Sequence, residues 1–424
     1  MTDNPRPRAH QPTRRQFLHG AGVAGAAGVV AAGASACANE GGGEGGVDKP
    51  QDAWPGQGMG EEADAYLADS RVDFDGEHQA GVATPEQAFN KLIAFNLRDG
   101  KDSVENAQRL MRLWTDDARR MCSGLAGLAD LEPENMVSTA NLTITVGFGR
   151  SFLDKLGLDA PEWLGDLPAY SRDELREEWS GGDLCLQICA DDRFTVSHAA
   201  RFMTKTARNY VDTAWIQDGF LHARGSIEQG ETPRNLFGQL DGSGNPPTDD
   251  FDDIVWISDG PAWLNGGTVM VVRRVAMLLD EWDILDRPSR EVAVGRTLDT
   301  GAPLTGQDEF DEPDFDARDE YGLPVIDPNS HMARAFSSDP AERIFRRPYN
   351  YDMPPGPDSR GTSNAGQMFI CFQKNPLQQF DPIQKRLDDA DRLNEWITHI
   401  GSAVFAIPRG TRDGEYWGQD LLEG

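Results

Sequence analysis

Cysteine and histidine are scarce in this 424-residue chain, with five of the first and seven of the second. No two cysteines form a CxxC pair, which removes the zinc-ribbon and dithiol redox motifs. Cys185 and Cys189 lie four apart in a strand-like run, on one face but too far apart to bridge. Together with Cys122 and Cys371 they read as buried free thiols. Positive charge is short as well: 40 Lys plus Arg against 70 Asp plus Glu leave a net charge of −30. That balance argues against nucleic acid and against an anionic membrane surface as partners. Also missing is any uncharged apolar run of the roughly 20 residues that span a bilayer. What is present is 38% hydrophobic residues and 45 glycines, an ordinary globular share. A sizeable core is therefore expected, and disorder is not.

The N-terminus reads as an address. Arg14-Arg15 in Thr13-Arg14-Arg15-Gln16-Phe17-Leu18 precedes an uncharged Ala/Gly stretch, Ala21 to Ala36, too short to span a bilayer. A paired arginine, a weakly apolar region and the small residues Ala34-Ser35-Ala36 make a twin-arginine signal over residues 1–36. Cleavage there would make Cys37 the first mature residue. It then has two fates, a free N-terminus or a lipid anchor, with Ala34 departing from the larger aliphatic residue usual in a lipobox. The expected location is extracellular or in the cell envelope, with no integral membrane span after cleavage. Residues 37–75 begin as a Gly-rich, acidic tether.

Two halves of similar order follow, 76–262 and 263–424. In the first, a strand over Ala88–Leu97 leads to a helix capped by Ser103, with Ala107, Leu110, Met111, Trp114, Ala118 and Met121 on one face. Strand-like runs at Asn141–Phe148, Asp183–Ala190 and Thr213–Phe220 surround a second helix near Val196–Arg208. That is the strand–helix–strand–strand–helix–strand order of a ferredoxin-like unit. In the second half, Thr268–Met277 and Gln367–Gln373 are β-rich. Phe380, Ile383, Leu387, Leu393 and Ile397 predict a helix, and Ser402–Ile407 a closing strand. Between them, roughly 297–362, lies a Pro/Gly/Asp-rich stretch without periodicity, a length that usually carries function. The fold class is α+β: two ferredoxin-like domains of antiparallel sheet forming a sandwich or barrel.

Two segments could carry chemistry. Only His78, His198, His222, His331 and His399 remain after the leader. His331 stands in the irregular stretch, ahead of Arg343-Ile344-Phe345-Arg346-Arg347-Pro348-Tyr349. A lone imidazole in such a loop is a candidate iron ligand, although most such histidines are satisfied polar residues. The other segment, Asn235 to Pro246, brackets Asp241 with Gly238 and Gly242, and glycine lets backbone approach a ligand closely. Taken alone it reads as an ordinary Asp-Gly turn.

In combination these residues resemble a family. Gly238 to Gly242 with Asn245-Pro246 is similar to the GxxDG signature of the dye-decolorizing peroxidases. His331 with the Arg343 to Tyr351 run resembles that family's proximal histidine and distal arginine region. His78-Gln79-Ala80-Gly81-Val82-Ala83-Thr84-Pro85 resembles its N-terminal motif, and Phe380 through Ala403 its C-terminal stretch. The resemblance covers about residues 76 to 424.

It implies a secreted-type haem peroxidase with one haem b per chain, held in the C-terminal half. Its partners would be hydrogen peroxide and aromatic or dye-like reductants, and an oligomer is compatible with the sequence. His331 would be the proximal iron ligand, oriented by Asp391 on the C-terminal helix. Asp241 would be the distal acid/base and Arg346 the distal cation. Pro348 stands where glycine is frequent in the family, so Arg346 and Arg347 remain alternatives. Arg296 would pair a haem propionate or, equally, sit in a surface ion pair. Gly242, Phe369 and Phe372 would lie against the cofactor. Tyr349, Tyr351 and Trp396 would relay electrons from bulky reductants at the surface, core packing being the plainer role for Trp396. Other readings are iron release from haem of deferrochelatase type, a non-catalytic haem-binding protein, and a hydrolase built on paired carboxylates.

Overall fold

The computed structural model describes residues 67–136, 138–228, 230–355 and 361–424, which all fall in one unit, Gly60–Gly424. The twin-arginine leader, Cys37 and the tether up to residue 66 lie outside the described residues.

Nine strands occur among the described residues: β1 (Phe89–Leu97), β2 (Thr143–Phe148), β3 (Leu184–Ala190), β4 (Val211–Phe220), β5 (Thr268–Met277), β6 (Phe345–Arg346), β7 (Tyr349–Met353), β8 (Asn364–Gln373) and β9 (Ile397–Ile407). Their order is β5-β9-β2-β3-β1-β4-β7-β8-β6, and a further β5–β8 pairing closes the sheet into a barrel. Within each half the order is that of a ferredoxin-like unit: β4-β1-β3-β2 in the first, and β9-β5-β8 with β7 and β6 beyond it in the second. The halves meet edge to edge at two seams, Phe220 against Asn350 and Phe148 against Ala406.

Alternation along the strands divides the core. Leu92 and Ala94 of β1 face the barrel interior with Met270, Val272, Phe372 and Phe405. Ile93 and Phe95 face outward, beneath Leu110 and Trp114 of the helix Val104–Cys122. Ser103 caps that helix through a 3.3 Å bond from the Asn106 amide to its Oγ. Trp114 is fully buried, and a side chain of its size contributes on the order of 3 kcal/mol by leaving water. Asp192 likewise caps the helix Arg193–Ala207, accepting from the Thr195 amide at 2.9 Å. These two helices cover the outer face of the N-terminal sheet.

Over the C-terminal sheet the cover is the helix Phe380–Ala390 together with the long β5–β6 crossover. Here the observed elements differ from the expected ones. The predicted helix stops at Ala390, Leu393 lies in a 3-10 turn, and Ile397 already begins β9, because its side chain is needed in the strand. The stretch 297–362 contains β6, β7 and the short helix His331–Ala335. Strands of two and five residues are too short to show a period. The four described cysteines are buried and free, as expected.

Candidate active site

A cavity of about 520 Å³ lies on the outer face of the C-terminal sheet, between β5, β8, the helix Phe380–Ala390 and the crossover. Val275, Met277, Phe369, Phe380, Ile383 and Leu387 supply apolar walls. Two acid–base pairs face into it.

The first pair sits on the short helix His331–Ala335. Buried Ser330 caps this helix, and Gly295, at φ 92°, ends the preceding helix against it. A Cβ at Gly295 would stand 2.8 Å from Ser330 Oγ, so the close approach requires glycine. His331 Nδ1 lies 2.7 Å from Asp391 Oδ2. The other carboxylate oxygen of Asp391 accepts from the Leu393 amide at 2.9 Å. The His331 side chain is 33% exposed and lines the cavity, and with Nδ1 engaged, Nε2 is the nitrogen available to it. Burial opposes a charge on the imidazole, but the charge and hydrogen bond of Asp391 outweigh it and hold the pKa above the usual value.

The second pair joins the Asn235–Pro246 loop to β6. Phe237 anchors the loop in a small cluster with Trp282, whose indole donates to the Phe237 carbonyl at 3.2 Å. Asp241 accepts from Gln367 Nε2 at 2.6 Å, from Asn235 Nδ2 at 3.2 Å and from Arg346 Nη1 at 3.2 Å. Asn245 holds the Arg346 backbone from both sides: its Oδ1 accepts from the Arg346 amide at 3.0 Å, and its Nδ2 donates to the Arg346 carbonyl at 2.8 Å. The loop and β6 are thereby pinned together, and the carboxylate and guanidinium keep a fixed relation.

Strand alternation separates the two arginines. Arg346 pairs with Cys371 of β8 and lines the cavity. Arg347 points the opposite way, fully buried, onto the Thr84 carbonyl and Gln87 Oε1. The same parity carries Tyr349 and Tyr351 into the barrel interior, at 0% and 1% exposure. Neither is a surface group, so the expectation of a surface relay at these two residues does not hold. Trp396 packs edge-on against Trp282, 5.2 Å between ring centroids. Phe369 lines the cavity, but Phe372, three positions on, faces the barrel interior and does not. Gly242 is likewise absent from the lining, whereas Gly244 is part of it.

Arg296 lines the cavity and donates to the carbonyls of Gly301 at 2.6 Å and Glu309 at 2.7 Å, so it is not a surface ion pair. Motif reading gave no role to several lining residues: Gln367, Asn235, Arg273 and His399. Arg273 is 1% exposed and bonded to Asp173, with its Nε and Nη1 lacking a partner. Beside it, burial and the Arg273 charge push His399 down to about 3, so its imidazole is neutral.

Comparison with known proteins now bears on this geometry. A family model described as Dyp-type peroxidase, N-terminal, matches residues 79–221, and one described as Dyp-type peroxidase, C-terminal, matches residues 232–412. The chain belongs to the Dyp-type peroxidase family. The dye-decolorizing peroxidase of Thermobifida fusca (strain YX) is 37% identical over 431 residues, 97% of each chain. The deferrochelatase of Escherichia coli (strain K12) is 32% identical over 372 residues, 82% of this chain and 86% of that one. Among solved structures, a DyP-type peroxidase from Cellulomonas bogoriensis superposes with a TM-score of 0.82 at 48% identity, covering 85% of this chain and 100% of its own. Ferric DtpA from Streptomyces lividans gives 0.80 at 39% identity, over 84% and 98%. Dyp-type peroxidases are haem oxidoreductases, and haem is the cofactor here. The site fits it: apolar walls suit a macrocycle, one imidazole nitrogen is free for iron, and the unpartnered nitrogens of buried Arg273 suit a carboxylate.

Proposed function

We propose that His331 binds the haem iron through Nε2, that Asp391 orients it, and that Asp241 and Arg346 act on hydrogen peroxide. The observation that carries this reading is that both pairs, His331–Asp391 and Asp241–Arg346, face one cavity. Haem supplies the electron transfers. Asp241 would accept a proton from one oxygen of hydrogen peroxide and return it to the oxygen that leaves as water. Arg346, held by Asn245, places positive charge where the leaving oxygen gathers negative charge. Asp391 makes the imidazole a stronger donor by accepting from Nδ1. Aromatic or dye-like reductants then restore the enzyme one electron at a time.

Asp241→Asn tests this. Haem content should be unchanged while peroxide-driven oxidation of the haem, followed by stopped flow from pH 3 to 8, slows by about 10²-fold or more. Dye turnover by the unaltered enzyme should be fastest in acid, because carboxylates as a class remain ionised at pH values where imidazoles are protonated. An unchanged peroxide reaction in the variant removes Asp241 from the mechanism.

The deferrochelatase relatives support a second reading, iron release from haem. Analysing products from haem with and without peroxide separates the two. We further infer export by the twin-arginine route, supported by Arg14-Arg15 and the Ala34-Ser35-Ala36 site, with Cys37 as the lipidation candidate. Among the described residues no helix is long and apolar enough to cross a membrane.

A further inference from the structure

Of the residues lining the cavity, the exposed ones are Gly244, Phe310, Asp311, Glu312 and Phe336, and they mark its mouth. Gly244 places that mouth beside the distal pair, since a Cβ there would lie 3.7 Å from Arg346 Nη2. Phe310 is 72% and Phe336 50% exposed, and Phe315 packs behind Phe336 with centroids 5.0 Å apart and the rings tilted by 54°. Large apolar rings standing in water at a cavity entrance need a reason beyond folding, because burying them would have been favourable. The lip that carries Phe310 and Phe315, Thr305 to Glu320, holds eight carboxylates and one arginine. Asp311 is fixed there, accepting from the amides of Gln307 at 2.8 Å and Asp308 at 3.0 Å. The cations nearby are already engaged. Arg343 bridges Asp250 at 2.7 Å, Arg334 bridges Asp389 at 2.6 Å, and Arg386 bridges Glu342 at 2.7 Å.

From these observations we propose that the mouth is a docking site for cationic aromatic reductants, which stack on Phe310 and Phe336 while Asp311 and Glu312 hold their charge. The proposal rests on the peroxidase reading and names its reductant class. Stacking of a flat cation on phenylalanine combines apolar burial with attraction to the ring face. The surrounding field, from a net charge of −30, draws cations toward the lip and turns anionic sulfonated dyes away. In each cycle two docked reductants give up one electron each, and with two protons one hydrogen peroxide becomes two waters.

The test uses the haem-loaded protein with two dyes of similar size, a monocationic triarylmethane and a disulfonated anthraquinone. Without peroxide, equilibrium binding of each is followed by absorbance as sodium chloride rises from about 10 to about 200 mM. Affinity for the cationic dye should fall about tenfold as the Debye length shortens, and affinity for the anionic dye should not fall. With peroxide, kcat/KM should follow the same pattern. Glu312→Lys should weaken the cationic dye severalfold more than Glu134→Lys, a matched charge change on an exposed residue outside the cavity lining, and Phe310→Ala should raise its KM. Glu134→Lys should leave the reaction with peroxide, which is uncharged, unchanged. Tighter binding of the anionic dye at low salt, or equal effects of the two lysine variants, overturns the proposal. Because binding is read without peroxide, the docking site stands or falls independently of the roles given to Asp241 and Arg346.

Discussion

The two halves share one strand order but cover their outer faces differently. In the N-terminal half, the helices Val104–Cys122 and Arg193–Ala207 fill the space over the sheet with Leu110, Trp114, Phe202 and Met203. In the C-terminal half, the crossover from β5 to β6 replaces the first of those long helices with the short helices Leu279–Trp282, Arg287–Val294 and His331–Ala335 and irregular chain, and a cavity of about 520 Å³ remains. The site exists where a covering helix is missing. Each half also carries a histidine–aspartate pair. His198 Nε2 meets Asp130 Oδ2 at 2.9 Å, and His331 Nδ1 meets Asp391 Oδ2 at 2.7 Å. The contacts are alike, but the His198 side chain is 6% exposed and the His331 side chain 33%. A His–Asp contact thus signifies chemistry only when the ring's other nitrogen has somewhere to act.

The largest effect expected from breaking that comparison is at His331. His331→Ala should fold normally and lose most of its haem, read from the absorbance ratio of haem to protein after reconstitution. His198→Ala should keep its haem and lose about 1–3 kcal/mol of stability, because buried Asp130 is left without its partner. Full, histidine-ligated haem in the first variant would end the assignment.

Next in size is the contrast between adjacent arginines. Arg346→Leu should slow the peroxide step by about 10²–10³-fold with stability little changed. Arg347→Leu should do the reverse, losing about 3 kcal/mol as the Thr84 carbonyl and Gln87 are left without a donor. A greater loss of peroxide reactivity at Arg347 would exchange their roles.

The smallest effect tests what the N-terminal half contributes near the site. Glu86 is pushed up from 4.5 to about 6, by burial first and by the Asp241 charge, against the pull of Arg347 and Arg346. Below pH 4.5 the carboxyl is protonated folded or unfolded and has no effect. Above pH 6 it is ionised in both states, and the folded state bears the cost of burying it. Glu86→Gln should therefore stabilise the protein by about 2 kcal/mol at pH 7–8 and not at pH 4, measured by denaturant unfolding at each pH. Equal gains at both pH values would mean the carboxyl's charge is irrelevant.

Much of this was legible in the residues. Helix Val104–Cys122 and strand Thr268–Met277 have the length and periodicity that sequence reveals. His331, Asp391 and Asp241 could be named because they stand in stretches that resemble family motifs, whereas Arg296, outside those stretches, was named for the fit of a guanidinium to a carboxylate. Arg346 and Arg347 could not be told apart, since β6 is two residues long and only its pairing with Cys371 sets which of them faces outward. The placement of Phe372 beside Phe369 was avoidable, because residues three apart in a strand face opposite ways. Gln367 carries no sequence signal: its bond to Asp241 spans 126 positions, and amides occur everywhere. Arg273 is recognisable only by what it lacks, two hydrogen-bond partners in a buried place.

The two seams carry a consequence for the molecule's dealings with other chains. A four-stranded sheet has two open edges, and an open edge is a template on which any extended peptide can add itself as a further strand. Here β4 meets β7 and β2 meets β9 at one residue pair each, so each half's edge strands are pinned at one end by the other half's. Barrel closure thus does for this protein what edge lysines, prolines and bulges do for open sheets.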